Sequence, residues 1–482
     1  MKKSFLYIAS AAALLQLTAC EKDRLNPIPT NSIAEASAFD SRLRIEGQVR
    51  AIYASIKNSG MYGGRYQIFN DIRGGDFLNE RTNVVTGFDV WNYTPSNSST
   101  NSVQNHWSRA YYVINLANVF LDGMASKGTP VVGEALSKNF QGEARLLRAM
   151  SYYSLLQLYA RPYWDGNGSK PGVPLRLKGN TGSGDYALAR ATVGEVYNQI
   201  LDDLNFAEQN LPLNYSSAVL NTTRAHRNTA IALKTRVLLS MRRYADVITE
   251  ANKIVSAAAP FRAETGVPHA LEPAFASLFG VASTTNENIL SMPFSSAEAP
   301  GTQNQLGYYY GPSAFNGGNG EYSLNPAGIL GNADWKATDA RRALTTVVGS
   351  KTWLAKYADK SGLFVDFAPV IRYAEVLLNL SEALARVNGL DQRAVDLLNA
   401  VRRRSDPTTT FAPASADALI NLILTERRIE LLGEGLAGTD LTRLGLALPA
   451  KPGTTAVEPN SQQYIWPISS TELLLNPLME DN

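Results

Sequence analysis

Residues 142–159 read GEARLLRAMSYYSLLQLY and carry a helical pattern. Beginning just upstream, apolar residues recur at the spacing that places them on one face of an α-helix, namely Phe140, Ala144, Leu147, Leu155 and Leu158. A second run with the same spacing follows at Val196, Ile200, Leu204, Ala207 and Leu211. These runs predict a mainly α fold.

The start of the second run is also marked by its chemistry. Thr192-Val193-Gly194-Glu195 is a capping-box pattern, in which the threonine side chain accepts from a free backbone amide and the glutamate reaches back. This predicts a helix beginning directly after Thr192.

Two later segments resemble each other. The first runs from Ala230 to a break near Arg243 and then on to Val255, and the second runs from Tyr373 to a break at Asn388-Gly389 and then on to Val401. Each predicts a helix, a short turn and a second helix, with small residues at close crossings as in tetratricopeptide units. The copies are too few for a regular solenoid. We therefore expect helix pairs embedded in one irregular domain, with two unrelated hairpins as the alternative.

Loop-rich stretches flank these helices. Residues 260–349 are dominated by Gly, Asn, Ser, Pro and Tyr, and glycines interrupt any long helix. Residues 60–105 form a second such stretch, with aromatic residues among Gly, Asn, Ser and Thr. Because long ordered loops in compact domains usually serve binding, both stretches are expected to contact a ligand.

Composition excludes several classes of protein. The chain has 482 residues, 45 Lys+Arg, 43 Asp+Glu and one cysteine, so it has no disulfide framework. Once an N-terminal segment containing Lys2 and Lys3 is removed, the charges balance at 43 against 43. Nucleic acid is not an expected partner, since phosphate binding requires clustered Lys and Arg.

The N-terminus predicts export. Lys2 and Lys3 precede a short apolar run that ends in Leu17-Thr18-Ala19-Cys20. Small residues directly before the single cysteine resemble a lipobox, so residues 1–19 are expected to be a signal peptide and Cys20 the acylated residue. Acyl chains contribute about 0.8 kcal/mol per buried methylene, enough for two or three chains to anchor a protein. Residues 20–38 contain Pro27 and Pro29 and predict an extended tether.

With these features in place, the chain resembles the SusD/RagB family of nutrient-binding outer-membrane lipoproteins of Bacteroidetes. The resemblance rests on residues 107–121 (WSRAYYVINLANVFL), 142–159, 172–175 (GVPL), 371–383, 425–431 (TERRIEL) and 464–468 (YIWPI). These stretches follow the family's order over nearly the whole mature chain. One departure lies at residues 436–439 (LAGT), where the family usually carries an arginine and aromatics.

The resemblance implies an irregular helical domain with tetratricopeptide-like pairs over residues 39–482, with an N-terminal half at 39–256 and a loop-rich and C-terminal half at 257–482. It implies a lipid-anchored protein on the cell exterior that captures a glycan, or in some branches a peptide. The partner it implies is a SusC-like TonB-dependent barrel in the outer membrane, against which the helical face packs. An acidic Glu21-Lys22-Asp23 after the cysteine is similar to the family's surface-export signal.

Sugar binding requires aromatic faces that stack on pyranose rings, with polar groups for the hydroxyls. The loops offer both kinds of residue, and the ligand-binding candidates are Tyr66, Trp91, Tyr93, Tyr308, Tyr309 and Tyr310. Nearby polar candidates are Asn70, Asp71, Arg73, Asp76 and Asn304. Each ring has a competing interpretation as a structural loop anchor.

Catalytic interpretations find little support. His106, His226 and His269 are scattered without metal-ligand spacing, and no phosphate loop or GxSxG motif is present. Glu426 and Glu430 lie one helical turn apart, but flanking arginines favour a solvated or ion-paired helix face. The sequence therefore predicts no metal, no cofactor and no enzyme activity, with a surface glycoside hydrolase as the alternative function.

Overall fold

A computed structural model describes residues 37–303 and 305–482. Residues 1–36, which include the predicted signal peptide, Cys20 and most of the predicted tether, lie outside the described residues, as does Asn304. In the part described, no helix is long and apolar enough to cross a membrane.

The structure is mainly α, as the sequence predicts. The helices of the first half are α1 (Arg42–Ile56), α2 (Arg65–Ile72), α3 (Phe88–Trp91), α4 (Asn105–Gly123), α5 (Thr129–Val132), α6 (Glu134–Tyr159), α7 (Val193–Asn210), α8 (Ala218–Thr223), α9 (Arg227–Ser240) and α10 (Tyr244–Ala251). Those of the second half are α11 (Leu306–Tyr310), α12 (Ser313–Asn316), α13 (Tyr373–Asn388), α14 (Gln392–Ser405), α15 (Ala416–Glu430), α16 (Ala437–Leu444) and α17 (Ser470–Leu475).

The strands are short. They are β1 (Phe77–Asn79), β2 (Asn288–Met292), β3 (Tyr322–Leu324), β4 (Thr345–Val348), β5 (Lys351–Leu354) and β6 (Ala368–Arg372). In the described ranges they form antiparallel two-stranded sheets, β1 with β3, β2 with β6 and β4 with β5. Each of the first two sheets joins segments far apart in the chain, so the strands fasten the loop-rich stretches to one another and to the helices.

Helix α6 lies at the centre of the N-terminal half, packed against α4 and α7. Nearly every residue from Gly142 onward is buried, including Arg148. The guanidinium of Arg148 donates to both carboxylate oxygens of Asp203 on α7, at 2.8 and 2.7 Å, and to Asn118 on α4 at 2.7 Å. One buried cation therefore fixes the positions of three helices. The capping box predicted at Thr192 is also confirmed, because both of its hydrogen bonds are present at the start of α7.

The predicted helix pairs are confirmed as α9 with α10 and α13 with α14. The first pair turns at Arg242, whose φ is 58°, and the second turns at Gly389, whose φ is 78°. Both α9 and α10 contact α13. The pairs therefore pack on each other, which favours stacked tetratricopeptide-like units over unrelated hairpins.

The expectation that residues 60–105 form loops was wrong at α2. All eight residues of this helix are buried, although several are polar. Distant backbone groups satisfy them: Arg73, just after the helix, donates to the Tyr464 carbonyl at 2.7 Å, and Asp71 accepts from the Gly435 amide at 2.9 Å. Gly435 has a φ of 84°, and a Cβ there would lie 2.4 Å from the Cα of Gln67. The helix is stabilised by tertiary contacts that its own pattern does not reveal.

Ten buried charged side chains connect the loop-rich stretch to α14 and α15. We call them the buried ion-pair cluster, which consists of Glu287, Asp339, Arg341, Lys356, Arg372, Arg402, Arg404, Glu426, Glu430 and Glu434. None of these side chains is more than 6% exposed. The sequence predicted either a solvated or an ion-paired helix face for Glu426 and Glu430. Both side chains form ion pairs, and both are buried.

Two arginines organise the cluster. Arg341 contacts Glu426 at 2.6 Å and Glu430 at 2.9 Å. Arg372 contacts Glu287 at 2.5 Å, Glu430 at 2.9 Å and Glu434 at 2.7 Å. Burial by itself raises the pKa of Glu430, but Arg404, Arg372 and Arg341 outweigh it and hold that pKa below its usual range. The arginines therefore hold Glu430 in its charged form.

Candidate ligand-binding face

The two loop-rich stretches meet in the folded chain. Strand β1 of the first pairs with β3 of the second, and the Glu80 amide continues the ladder by donating to the Glu321 carbonyl at 2.8 Å. The Tyr322 hydroxyl donates to the Thr86 carbonyl at 2.9 Å. The two stretches are far apart in the sequence, but the pairing of β1 with β3 makes them neighbours in the folded chain.

Most of the predicted binding rings lie beneath this junction rather than on it. Tyr309 and Tyr310 are 0% exposed. The Tyr309 hydroxyl donates to the Gln303 carbonyl at 3.0 Å, and the Tyr310 ring lies 4.9 Å from that of Phe77 on β1. Burial raises the pKa of Tyr309 to about 12. Tyr310 therefore packs against β1, while the Tyr309 ring stacks on Tyr322 of β3 at 6.3 Å, so both tyrosines support the junction from within.

The predicted rings of the first stretch are buried as well. Trp91 donates its indole N–H to the Phe77 carbonyl at 2.9 Å, and the Tyr93 hydroxyl donates to the Arg73 carbonyl at 2.9 Å. Tyr66 stacks on His106 with ring centroids 5.5 Å apart. In this structure their faces are not open to a sugar, so the alternative interpretation as loop anchors fits them better than ligand contact.

Tyr308 differs from the other five candidates because its side chain is partly exposed. Its ring meets Phe364 edge to face at 6.1 Å and Tyr309 at 6.2 Å, so it is held from two sides. Phe315, two short turns later, is also partly exposed. Ligand contact by Tyr308 stays a prediction, and the structure leaves its ring accessible.

Polar side chains surround the β1–β3 junction. The exposed Arg81 donates through Nε and Nη2 to the Asn319 carbonyl, at 3.1 and 2.9 Å. Asn319 donates to Glu321 at 2.5 Å, while Glu80 accepts from Ser323 at 2.5 Å and pairs with Lys351. These contacts orient several donors and acceptors before any ligand arrives.

Arg81, Asn319 and Lys351 were not predicted as binding residues from the sequence. Arg81 and Lys351 are exposed and Asn319 is partly exposed. The pairing of β1 with β3 brings Arg81 to Asn319, and Lys351 joins them through its ion pair with Glu80. The polar residues that it selected are mostly internal: Asp76 pairs with Arg428 at 2.6 Å, and burial raises the pKa of Asp71 to about 7. A signal was available in the first stretch, where Glu80 and Arg81 follow directly after the strand.

We use the name loop face for Glu80, Arg81, Tyr308, Phe315, Asn319 and Lys351, of which Arg81 and Lys351 are exposed and the other four are partly exposed. It combines partly exposed rings with charged and amide groups held by neighbouring side chains and backbone. Such a surface can bind a polyhydroxylated molecule through stacking and hydrogen bonds. Within the described ranges, no group of three or more His, Cys, Asp or Glu side chains could hold a metal ion.

Comparisons with known proteins give the same fold. The family described as starch-binding associating with outer membrane matches residues 33–239, and the SusD family matches residues 356–451. The SusD-like protein P2 of Formosa agariphila is 26% identical, covering 97% of each chain. A surface glycan-binding protein A from Bacteroides uniformis is 21% identical over 92% of this chain and 99% of that one, with a TM-score of 0.74.

Another solved structure is more similar in sequence. It is a SusD superfamily protein from Bacteroides fragilis, which is 30% identical and has a TM-score of 0.81. The match covers 92% of this chain and 99% of that one. At this identity and coverage, the chain is a member of the SusD family.

Proposed function

We propose that the protein is a cell-surface lipoprotein that binds an oligosaccharide or polysaccharide without cleaving it and passes it to a SusC-like TonB-dependent transporter of the outer membrane. Family membership supports the role, as does the family description of starch binding in association with the outer membrane. A glycan is also what the Bacteroides uniformis relative binds according to its name. The anchor is Cys20, which lies outside the described residues.

The observation that carries this proposal is the loop face. The Tyr308 ring is partly exposed and contacts two other rings, so stacking a sugar on it costs little side-chain entropy. Arg81 uses two N–H groups on Asn319 and has others left for ligand hydroxyls.

We expect the double variant Arg81→Ala/Tyr308→Ala to bind the glycan at least about tenfold more weakly, since it loses a stacking surface and a charged donor. The measurement is calorimetry of the protein from residue 21 onward with maltohexaose, xylohexaose, cellohexaose, laminarihexaose and mannohexaose. A mixed peptide digest serves as the competing ligand class, and retention of peptides alone would move the function to nutrient peptides.

A matched control is available on α4. Arg109 and Tyr112 are also an exposed arginine and an exposed tyrosine. The variant Arg109→Ala/Tyr112→Ala removes the same side chains from another element and should leave affinity unchanged. Equal loss in both double variants, or no loss in either, would refute the assignment to the loop face.

The anchor makes a separate prediction. Because Cys20 is the single cysteine of the chain, Cys20→Ser removes every thiol that could be acylated. We expect the variant to leave the membrane fraction and to lose incorporation of labelled palmitate, because two or three acyl chains supply the membrane affinity. Glycan binding by the purified variant should be unchanged. A variant that stays labelled and membrane-bound would contradict the proposed anchor.

A further inference from the structure

A second cleft lies between the segment after α6 and the C-terminal residues. Its volume is about 580 Å³, within the range of small-ligand sites. The apolar part of its lining comes from Trp164, Pro171, Pro459 and Ile465. None of these residues belongs to the loop face.

Trp164 is held in a fixed orientation while part of it stays exposed. Its indole N–H donates to the Thr442 carbonyl at 2.8 Å. The guanidinium of Arg242 lies over the ring, 5.1 Å from its centroid. The hydrogen bond and the guanidinium hold the ring in one orientation. Stacking of a flat ligand surface on its exposed part therefore costs little side-chain entropy.

Two arginines join the walls of the cleft. Arg161 contacts Asp165 at 2.6 Å and donates to the Ser461 carbonyl at 3.2 Å. Arg190 donates to the Gly172 carbonyl at 2.7 Å and to the side chain of Asn482 at 2.6 Å. Each arginine therefore connects the segment after α6, or its continuation, to the C-terminal residues. The cleft is formed before any ligand binds.

Some polar side chains in this cleft are available to a ligand. Lys170 and Asn460 are exposed, and within the described ranges their side chains have no hydrogen-bond or ion-pair partner. Asp165 uses one carboxylate oxygen for Arg161. An ammonium, an amide and a carboxylate around one aromatic ring provide both donors and acceptors for sugar hydroxyls.

We propose that this cleft is a second saccharide-binding site, in which a pyranose ring stacks on Trp164 and its hydroxyls bind Lys170, Asn460 and Asp165. The proposal rests on the glycan-binding function assigned above. Two sites on one chain would hold a long glycan at separate points. Because both sites are on one chain, the overall affinity of the protein for a long glycan would exceed the affinity of either site alone.

The test is calorimetry of the full protein from residue 21 onward with the same five hexasaccharides, which are too short to be assumed to bridge both sites. We expect two binding sites in the intact protein. Trp164→Ala should weaken one of them by about tenfold or more, while Trp164→Phe, which keeps an aromatic face, should retain it. Arg81→Ala/Tyr308→Ala should weaken the other site.

A second variant tests the cleft independently, in case Trp164→Ala does not fold. Lys170→Ala/Asn460→Ala removes two exposed side chains that have no partner among the described residues, so its melting temperature should match that of the intact protein. It should still weaken the Trp164 site.

The possible outcomes separate the two proposals. A single site that Arg81→Ala/Tyr308→Ala weakens and neither cleft variant weakens would overturn the second site and leave the loop face standing. Binding lost only in the cleft variants would retain the cleft and overturn the loop face. Absence of binding by every hexasaccharide would overturn both.

Discussion

Replacing Arg372 with methionine is expected to lower the free energy of unfolding by about 3–5 kcal/mol, the cost of removing one partner from a buried ion pair. Its side chain is 0% exposed and contacts Glu287, Glu430 and Glu434. Methionine fills much of the same space, so the main loss is the charge. The acids left behind would be buried with too few cations to compensate them.

Urea denaturation followed by circular dichroism measures this change. The matched control is Arg243→Met, which breaks a surface pair with Asp246 that has nearly the same length, 2.6 Å, but is 43% and 47% exposed. We expect that control to change the unfolding free energy by no more than about 1 kcal/mol. Similar losses in the two variants would contradict the view that the buried cluster stabilises the C-terminal half.

The second large effect concerns the rings that the sequence assigned to ligand binding. Tyr309→Ala and Trp91→Ala should each lower the free energy of unfolding by about 3–5 kcal/mol, because each leaves a cavity in the core. Both side chains also lose a hydrogen bond to a carbonyl, at Gln303 and Phe77 respectively. Their assignment as ligand-binding candidates from the sequence implies the opposite result, a loss of affinity with little change in stability.

Tyr308 supplies the control for this prediction, since it is the neighbouring residue on α11 and is only partly buried. Tyr308→Ala should have the smaller effect on stability and the larger effect on glycan affinity. Calorimetric unfolding and binding titrations on both variants would show the contrast. If Tyr309→Ala lost affinity without losing stability, the sequence-based assignment would be restored.

Helices whose determinants are local were predictable. The apolar spacing of α6 and the capping box at Thr192 lie within a few residues of the structure they specify, and the pairs α9–α10 and α13–α14 follow from period and turn residues. Family resemblance added the order of these elements. The division of residues 39–482 into halves, and the boundary of the tether at residue 38, stay predictions.

Helix α2 marks the limit of local reasoning. The polar residues of α2 led to the prediction of a loop. Their hydrogen-bond partners come from chain segments hundreds of residues away, such as the amide of Gly435 and the carbonyl of Pro369. The charged cluster around Arg372 follows the same rule. Burial of a polar group depends on distant partners, which a residue's own neighbours in the sequence do not name.

The sequence by itself determined a mainly helical SusD-like chain, because helix period, caps and short motifs are encoded by adjacent residues. Only the tertiary structure decided which aromatic rings are accessible. Tyr308 and Tyr309 are consecutive and chemically identical, yet one reaches the surface and the other supports β3 from within. Exposure is settled by how strands and helices from distant segments pack, so the loop face and the Trp164 cleft could be found only in the folded chain.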